Sequence, residues 1–242
     1  MKEYIRLTLN QRMQHFVLII SFFLLVATGL PLRYHEAGWA KFLIGLLGGF
    51  EMRGVIHRIA GVVMILGFAY HILYVLYIKI ANGACWTLVP NLQDAKDVFL
   101  NIGYFLGMRK EPPKFDRYNY IEKAEYWALI WGTVVMAITG LILWFPQYAI
   151  LFLPNVIFDI ATVLHSCEAL LAFLAILVWH FYYAHLNPDV FPMNKTWLTG
   201  KITAQEMKEH HPLEYERIET EKTVDTLAES LVKSLLCKEE KL

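Results

Sequence analysis

The sequence predicts an all-α integral membrane protein, a four-helix transmembrane bundle with both termini in the cytoplasm. Three observations predict it. Of the 242 residues 57% are hydrophobic, and they fall in four long blocks. Each block has helical rather than alternating character and approaches the roughly 20 apolar residues that a helix needs to cross a bilayer. Lysine and arginine, finally, crowd the segments on one side of those blocks.

The spans are expected at Met13–Pro31, Val55–Ile80, Tyr126–Phe145 and Ile157–Leu186. Helices suit these blocks because an open sheet facing lipid leaves backbone groups unbonded. Pro31, Pro146 and Pro188 stand where three of the helices should end. The N-terminal stretch carries Lys2, Arg6 and Arg12. The segment after the second span carries Lys96, Arg109, Lys110, Lys114, Arg117 and Lys123, and eight more basic residues follow the fourth span. The opposite side has only Arg33, Lys41 and Arg53 in its first loop and none from Pro146 to Phe158. That bias sets both termini inside. The first block is long enough to remain in the membrane, so no cleaved signal peptide is expected.

Between spans, Glu36–Phe50 is expected on the outer surface, and Lys79–Glu122 as a long cytoplasmic loop broken at Pro112 and Pro113. Residues 1–211 read as one transmembrane domain and 212–242 as a charged cytoplasmic tail. Within the tail, Ile218–Leu236 has apolar residues at helical spacing, giving either an amphipathic helix or a mobile solvated segment. The formal net charge is zero, which excludes a nucleic-acid partner, and the apolar content excludes a disordered chain. Cys85, Cys167 and Cys237 form no CxxC or CxxCH pattern, so neither a c-type haem nor a cysteine-held cluster is encoded.

Five of nine histidines fall in the spans: His15, His57, His71, His165 and His180. Ionisable groups at such positions are functional candidates by default. A lone one is more simply a hydrogen-bonded helix contact, but two matched separations call for more. His57 and His71 lie 14 residues apart, and His165 and His180 lie 15 apart, which is roughly 21–22 Å of helix, each pair on one broad face. Both helices run inward, so His57 and His165 form an outer layer, and His15, His71 and His180 an inner one. One bis-histidine haem b per layer, two in all, suits this pattern, since low-spin haem iron takes axial ligands from facing helices. Zinc suits it less, because a structural site wants four ligands in one place. Gly29, Gly61, Gly67, Gly132 and Gly140 would let a porphyrin approach the backbone or would let helices pack closely. Arg58, beside His57, is a candidate partner for a haem propionate, with a snorkelling interfacial role as the alternative.

Over residues 10–217 the chain resembles the cytochrome b (gamma) subunit of membrane-bound formate dehydrogenases and the related cytochrome b of nickel–iron hydrogenases. The resemblance rests on QRMQHFVLIISFFLLVATGLPL, IHRIAG, RYNYIEKAEYWALIWGTVVMAITGLILWFP, LHSCEALLAFLAILVWHFYYAHL and TGKITAQEMKEHHPLEYER. It implies an outer haem b on His57 and His165 and an inner haem b on His15 and His180. It also implies a menaquinone pocket near the inner haem, lined by Asn119, with menaquinone as an exchangeable substrate. His71 is additional to the family pattern and stands as an alternative inner ligand. The spacing from His165 to His180 is one residue longer than the family suggests, which a local π-bulge would absorb. His185 is expected at the interface, and His210 and His211 on an exposed or partner-contacting tail.

The expected function is that of an electron-transfer and quinone-reactive subunit of a respiratory oxidoreductase in the inner membrane of a prokaryote. It would exchange electrons with an outer-face partner, either an iron–sulfur subunit or a multihaem cytochrome c. Asn119 would orient a quinone carbonyl, with Glu122 or Lys123 as proton-carrying groups. No catalytic site beyond the quinone pocket is expected. Two rival readings use the same residues: a haem-free metal or proton transporter, for which Glu168 is the main acidic residue, and a structural membrane anchor.

Overall fold

The computed structural model describes residues 2–83, 86–188 and 190–224. Its elements in chain order are β1 (Glu3–Ile5), α1 (Leu9–Arg33), α2 (Gly38–Leu46), α3 (Gly49–Asn82), α4 (Leu92–Phe105) and α5 (Tyr120–Trp144). Then come α6 (Pro146–Ala149), α7 (Val156–Leu174), α8 (Thr196–Thr199), β2 (Lys201–Thr203) and α9 (Ala204–His210). A further helical stretch covers 212–224. Helix α7 continues through π-helical turns at Ala175–His180 and Tyr182–Leu186. Among the described residues, the helices α1, α3, α5 and the extended α7 are the four long and apolar enough to cross a membrane. Large apolar side chains on their outward faces, such as Leu73 and Trp131 (each 66% exposed), belong against lipid rather than water.

The spans begin earlier than hydropathy alone suggests, because their first turns are polar. Helix α1 starts with a capping box: the Thr8 hydroxyl accepts from the Gln11 backbone N–H, and the Gln11 side chain returns to the Thr8 backbone. Such a cap stabilises a helix start by about 1 kcal/mol. Asn119 and Glu122 make the same reciprocal pair at the start of α5, both bonds 2.8 Å. This extension carries Glu125 into the span. Pro31 does not end α1; it sits in the last turn, and the helix runs on to Arg33. Pro146 opens the short α6, as its fixed φ favours. The segment between α1 and α3 holds α2, and the long segment after α3 holds α4, which has its own capping box at Asn91.

The chain divides into two compact units. The first comprises Leu7–Trp86 and Glu125–Gly200. Within it, α1 and α3 pack antiparallel through a stripe repeating every seven residues on each helix. Gln14 meets His71, Val17 lies over Gly67, Ser21 reaches Met64, Leu25 lies over Gly61, and Thr28 meets His57. Small residues let these helices approach; Ala60 is 2% exposed. The heptad period is what keeps one face of each helix against its neighbour over four turns.

The second unit gathers 1–6, 87–124 and the chain from Lys201 onward. Strands β1 and β2 pair antiparallel with Tyr4 opposite Ile202, and Met207 joins them in a small core. No alternation of apolar and polar residues is long enough to announce these three-residue strands. Glu214, 2% exposed, binds Arg6 at 2.5 Å and Arg117 at 2.6 Å, and Arg117 also donates to the Arg6 carbonyl at 2.8 Å. His211, expected on an exposed or partner-contacting tail, is 7% exposed, with Nδ1 donating to the Asp116 carbonyl at 2.9 Å. Burial, and then the Arg6 charge, push its imidazole down to about 4. Cys85, Cys237 and the part of the Ile218–Leu236 segment beyond residue 224 lie outside the described residues.

Candidate functional site

The outer layer is built by four helices meeting in pairs. On α3 His57 Nδ1 lies 2.8 Å from Thr28 Oγ1 of α1, and on α7 His165 Nδ1 lies 2.9 Å from Thr139 Oγ1 of α5. Each hydroxyl donates to a carbonyl of its own helix, Leu24 at 2.6 Å and Val135 at 2.7 Å, and is thereby left to accept from the imidazole. Nδ1 therefore carries the proton at both histidines, which leaves Nε2 with the lone pair that could coordinate a metal. The glycine after each threonine makes room for the ring. A Cβ at Gly29 would stand 3.3 Å from His57 Cε1, and one at Gly140 would stand 3.2 Å from His165 Cε1. These two glycines seat the histidines themselves. Gly132 admits the Glu168 carboxylate, while Gly61 and Gly67 meet only ordinary side-chain contacts.

The inner layer separates its three histidines. His15 on α1 faces His180 on the π-turn of α7, with ring centroids 6.5 Å apart. His180 Nδ1 is held at 3.1 Å by the Glu125 carboxylate. His71 instead uses both ring nitrogens: Nδ1 lies 2.7 Å from Gln14 Oε1, and Nε2 lies 3.0 Å from the Tyr126 hydroxyl. The amide oxygen can only accept, so Nδ1 donates and Nε2 accepts from the tyrosine. The π-turn at Ala175–His180 supplies the extra residue that separates the 15-residue spacing of α7 from the 14-residue spacing of α3.

The arrangement fits haem. An imidazole–metal–imidazole sandwich with metal–nitrogen bonds of roughly 2.0 Å sets ring centroids roughly 6.3 Å apart. The His57–His165 centroids are 6.3 Å apart, next to 6.5 Å for His15–His180. Buried polar atoms without a partner among the described residues gather around the inner pair: Arg12 Nε, His15 Nδ1, Glu125 Oε1, His185 Nδ1 and Trp197 Nε1. The Trp197 ring lies 6.1 Å from His15 and 6.3 Å from His185. Among them the Arg12 and Trp197 N–H donors suit porphyrin carboxylates. At the outer end, Arg53 is 8% exposed, donates to the Thr28 carbonyl at 2.7 Å, and keeps a buried Nε without a partner. Arg58 lies over the Trp144 ring at 5.8 Å, beside an open groove lined by Val55, Ile59, Val62 and Val63. Among the described residues no three His, Cys, Asp or Glu side chains converge to bind a metal directly.

The residues that sequence reasoning missed follow a pattern it could have used. Gln14 and Thr28 on α1 correspond to Glu125 and Thr139 on α5, each 111 residues later, and ATGL reappears as ITGL. Each residue of these pairs bonds a histidine on α3 or α7. The second half of the bundle thus repeats the first, with His15 at the position that Tyr126 takes in the repeat.

Asn119 is the cap of α5, and its Oδ1 is taken by the Glu122 backbone N–H. Glu122 is bound in the same cap and lies 3.9 Å from Arg6, while Lys123 is buried in an ion pair with Asp94 at 2.7 Å.

The family model described as prokaryotic cytochrome b561 matches residues 6–214. The formate dehydrogenase cytochrome b556(fdo) subunit of Escherichia coli (strain K12) is 29% identical over 228 residues, 93% of this chain and 97% of that protein. The formate dehydrogenase cytochrome b556 subunit of Haemophilus influenzae is 28% identical over 206 residues, 84% of this chain and 79% of that protein. The nitrate-inducible cytochrome b556(Fdn) subunit of Escherichia coli is 25% identical over 221 residues, 90% and 93% of the two chains.

Proposed function

Since the chain belongs to the prokaryotic cytochrome b561 family, whose name implies haem b, we propose that it is the dihaem membrane subunit of a formate dehydrogenase-type complex. His57 and His165 ligate the outer haem, and His15 and His180 ligate the inner one. The observation that carries this reading is the pair of facing imidazoles in each layer, at a separation suited to one iron. His71 is no ligand in this account, because Gln14 and Tyr126 already engage both its nitrogens.

Haem iron supplies one-electron exchange, and the protein sets its position and electronics. Thr28 and Thr139 hold the outer imidazoles in the Nδ1–H tautomer, turning Nε2 toward the iron. Arg53 ties the Thr28 carbonyl in place and offers its remaining guanidinium donors to the outer propionates, with Arg58 as a second cation on the same helix. Arg12 and Trp197 donate at the inner level. Asn119, whose Oδ1 serves the helix cap, presents its amide N–H to a carbonyl of menaquinone near the cytoplasmic face.

The curated relatives are formate dehydrogenase subunits by name. Their likeness over most of this chain supports an outer-face partner with an iron–sulfur electron-transfer subunit. Both termini face the cytoplasm of a prokaryotic cell, as the basic residues direct. Electrons pass singly through the two layers, between that partner and the quinone. A pyridine haemochrome assay on the purified, dithionite-reduced chain should give two haem b per polypeptide. Absence of a b-type signal in assembled protein would end this reading.

A further inference from the structure

Four histidines in the bundle rest their Nδ1 on a side chain of a neighbouring helix, and one of the four acceptors differs in kind. His57 and His165 use hydroxyls, His71 uses an amide, and His180 alone uses a carboxylate. Gln14 does for His71 what Glu125 does for His180, from the equivalent position 111 residues earlier. A neutral amide is thus sufficient to orient an imidazole in this geometry, and the charge on Glu125 is not needed for position alone. Its side chain is 26% exposed, and Oε1 is buried without a partner among the described residues. No arginine or lysine side chain is among its hydrogen-bond or ion-pair partners there.

From this we infer that Glu125 is a positioning residue that sets the reduction potential of the inner haem through His180. The inference rests on His180 being that haem's ligand. A carboxylate accepting from Nδ1–H makes the imidazole a stronger base at Nε2. A more basic ligand stabilises ferric over ferrous iron, which lowers the potential. With Glu125 behind His180, electron transfer from that site to a quinone would be more favourable than with a neutral acceptor there. The outer haem, backed by Thr28 and Thr139, has no such anion on either ligand. The two haems of one bundle are thereby made electronically unequal by a single side chain.

The test is a redox titration of the purified full chain, wild type beside Glu125→Gln, following the α-bands of both haems. Losing the hydrogen-bond acceptor behind a metal-bound imidazole typically costs 10- to 100-fold in metal affinity or activity. A tenfold loss of ferric preference raises a one-electron midpoint by about 59 mV. If the ferric form bears about tenfold more of that loss than the ferrous form, Glu125→Gln should raise the inner midpoint by roughly that amount and leave the outer one in place. Glu125→Asp, which keeps the charge, should hold the inner midpoint near the wild-type value; this variant carries the test where the glutamine protein fails to retain haem. An inner midpoint unmoved in Glu125→Gln, or one that rises equally in Glu125→Asp, overturns the inference. A wild-type chain without a second haem overturns the dihaem reading itself, and the two failures are told apart by the wild-type titration.

Discussion

Replacing Thr28 by Val tests whether the outer histidines are held as the geometry requires. Thr28 is fully buried, so no solvent replaces its hydroxyl. Valine keeps the shape, leaves the Thr28 backbone carbonyl free to accept from Arg53, and removes only the acceptor 2.8 Å from His57 Nδ1. A buried donor left unsatisfied costs about 1–3 kcal/mol. At about 1.4 kcal/mol per decade this is roughly 5- to 150-fold in the fraction of rings held in the coordinating orientation. The hydroxyl's own bond to the Leu24 carbonyl adds little, since that carbonyl remains inside the helix. The assay is haem retention on serial dilution, read from the two α-bands. Thr28→Val should lose the outer haem first, Thr28→Ser should retain it, and the inner haem should be unaffected in both. An outer haem that stays bound with an unchanged midpoint in Thr28→Val would refute the reasoning.

Two further predictions concern the second unit. Glu214→Ala strips one carboxylate from two guanidinium groups and should destabilise that unit by about 3–5 kcal/mol, as breaking a buried ion pair does; faster limited proteolysis at equal haem content would show it. His211 titrates near 6.5 when unfolded but only at about 4 when buried. Between those values the unfolded chain holds a proton that the folded chain does not, so stability falls as pH drops through that window and is level above it. The loss amounts to about 3 kcal/mol at most, and His211→Gln should flatten the pH profile of proteolytic resistance; an unchanged profile would contradict the assignment.

Much of the bundle was legible because lipid imposes length and polarity on any helix that crosses it. The four blocks and the proline-marked ends at Pro146 and Pro188 followed from spacing alone. What stayed hidden were properties of neighbours rather than of positions. Nothing about His71 in the sequence distinguishes it from His180; only the approach of Gln14 and Tyr126 shows that both its nitrogens are engaged. Thr28 and Thr139 read as ordinary small polar residues until a histidine is seen against each. Glu125 was overlooked because an apolar window began the third span at Tyr126, whereas the capping box at Asn119 begins the helix a turn and a half earlier. The burial of His211 within the chain was hidden for a similar reason, since the Arg6–Glu214–Arg117 cluster joins segments distant in sequence.

The most direct test of the central claim, that four particular histidines hold two haems in two layers, is a redox titration of purified His15→Ala beside His71→Ala. The account predicts that His15→Ala loses the inner haem's wave and keeps the outer, while His71→Ala keeps both. Loss of the inner wave in His71→Ala, with its retention in His15→Ala, would contradict it.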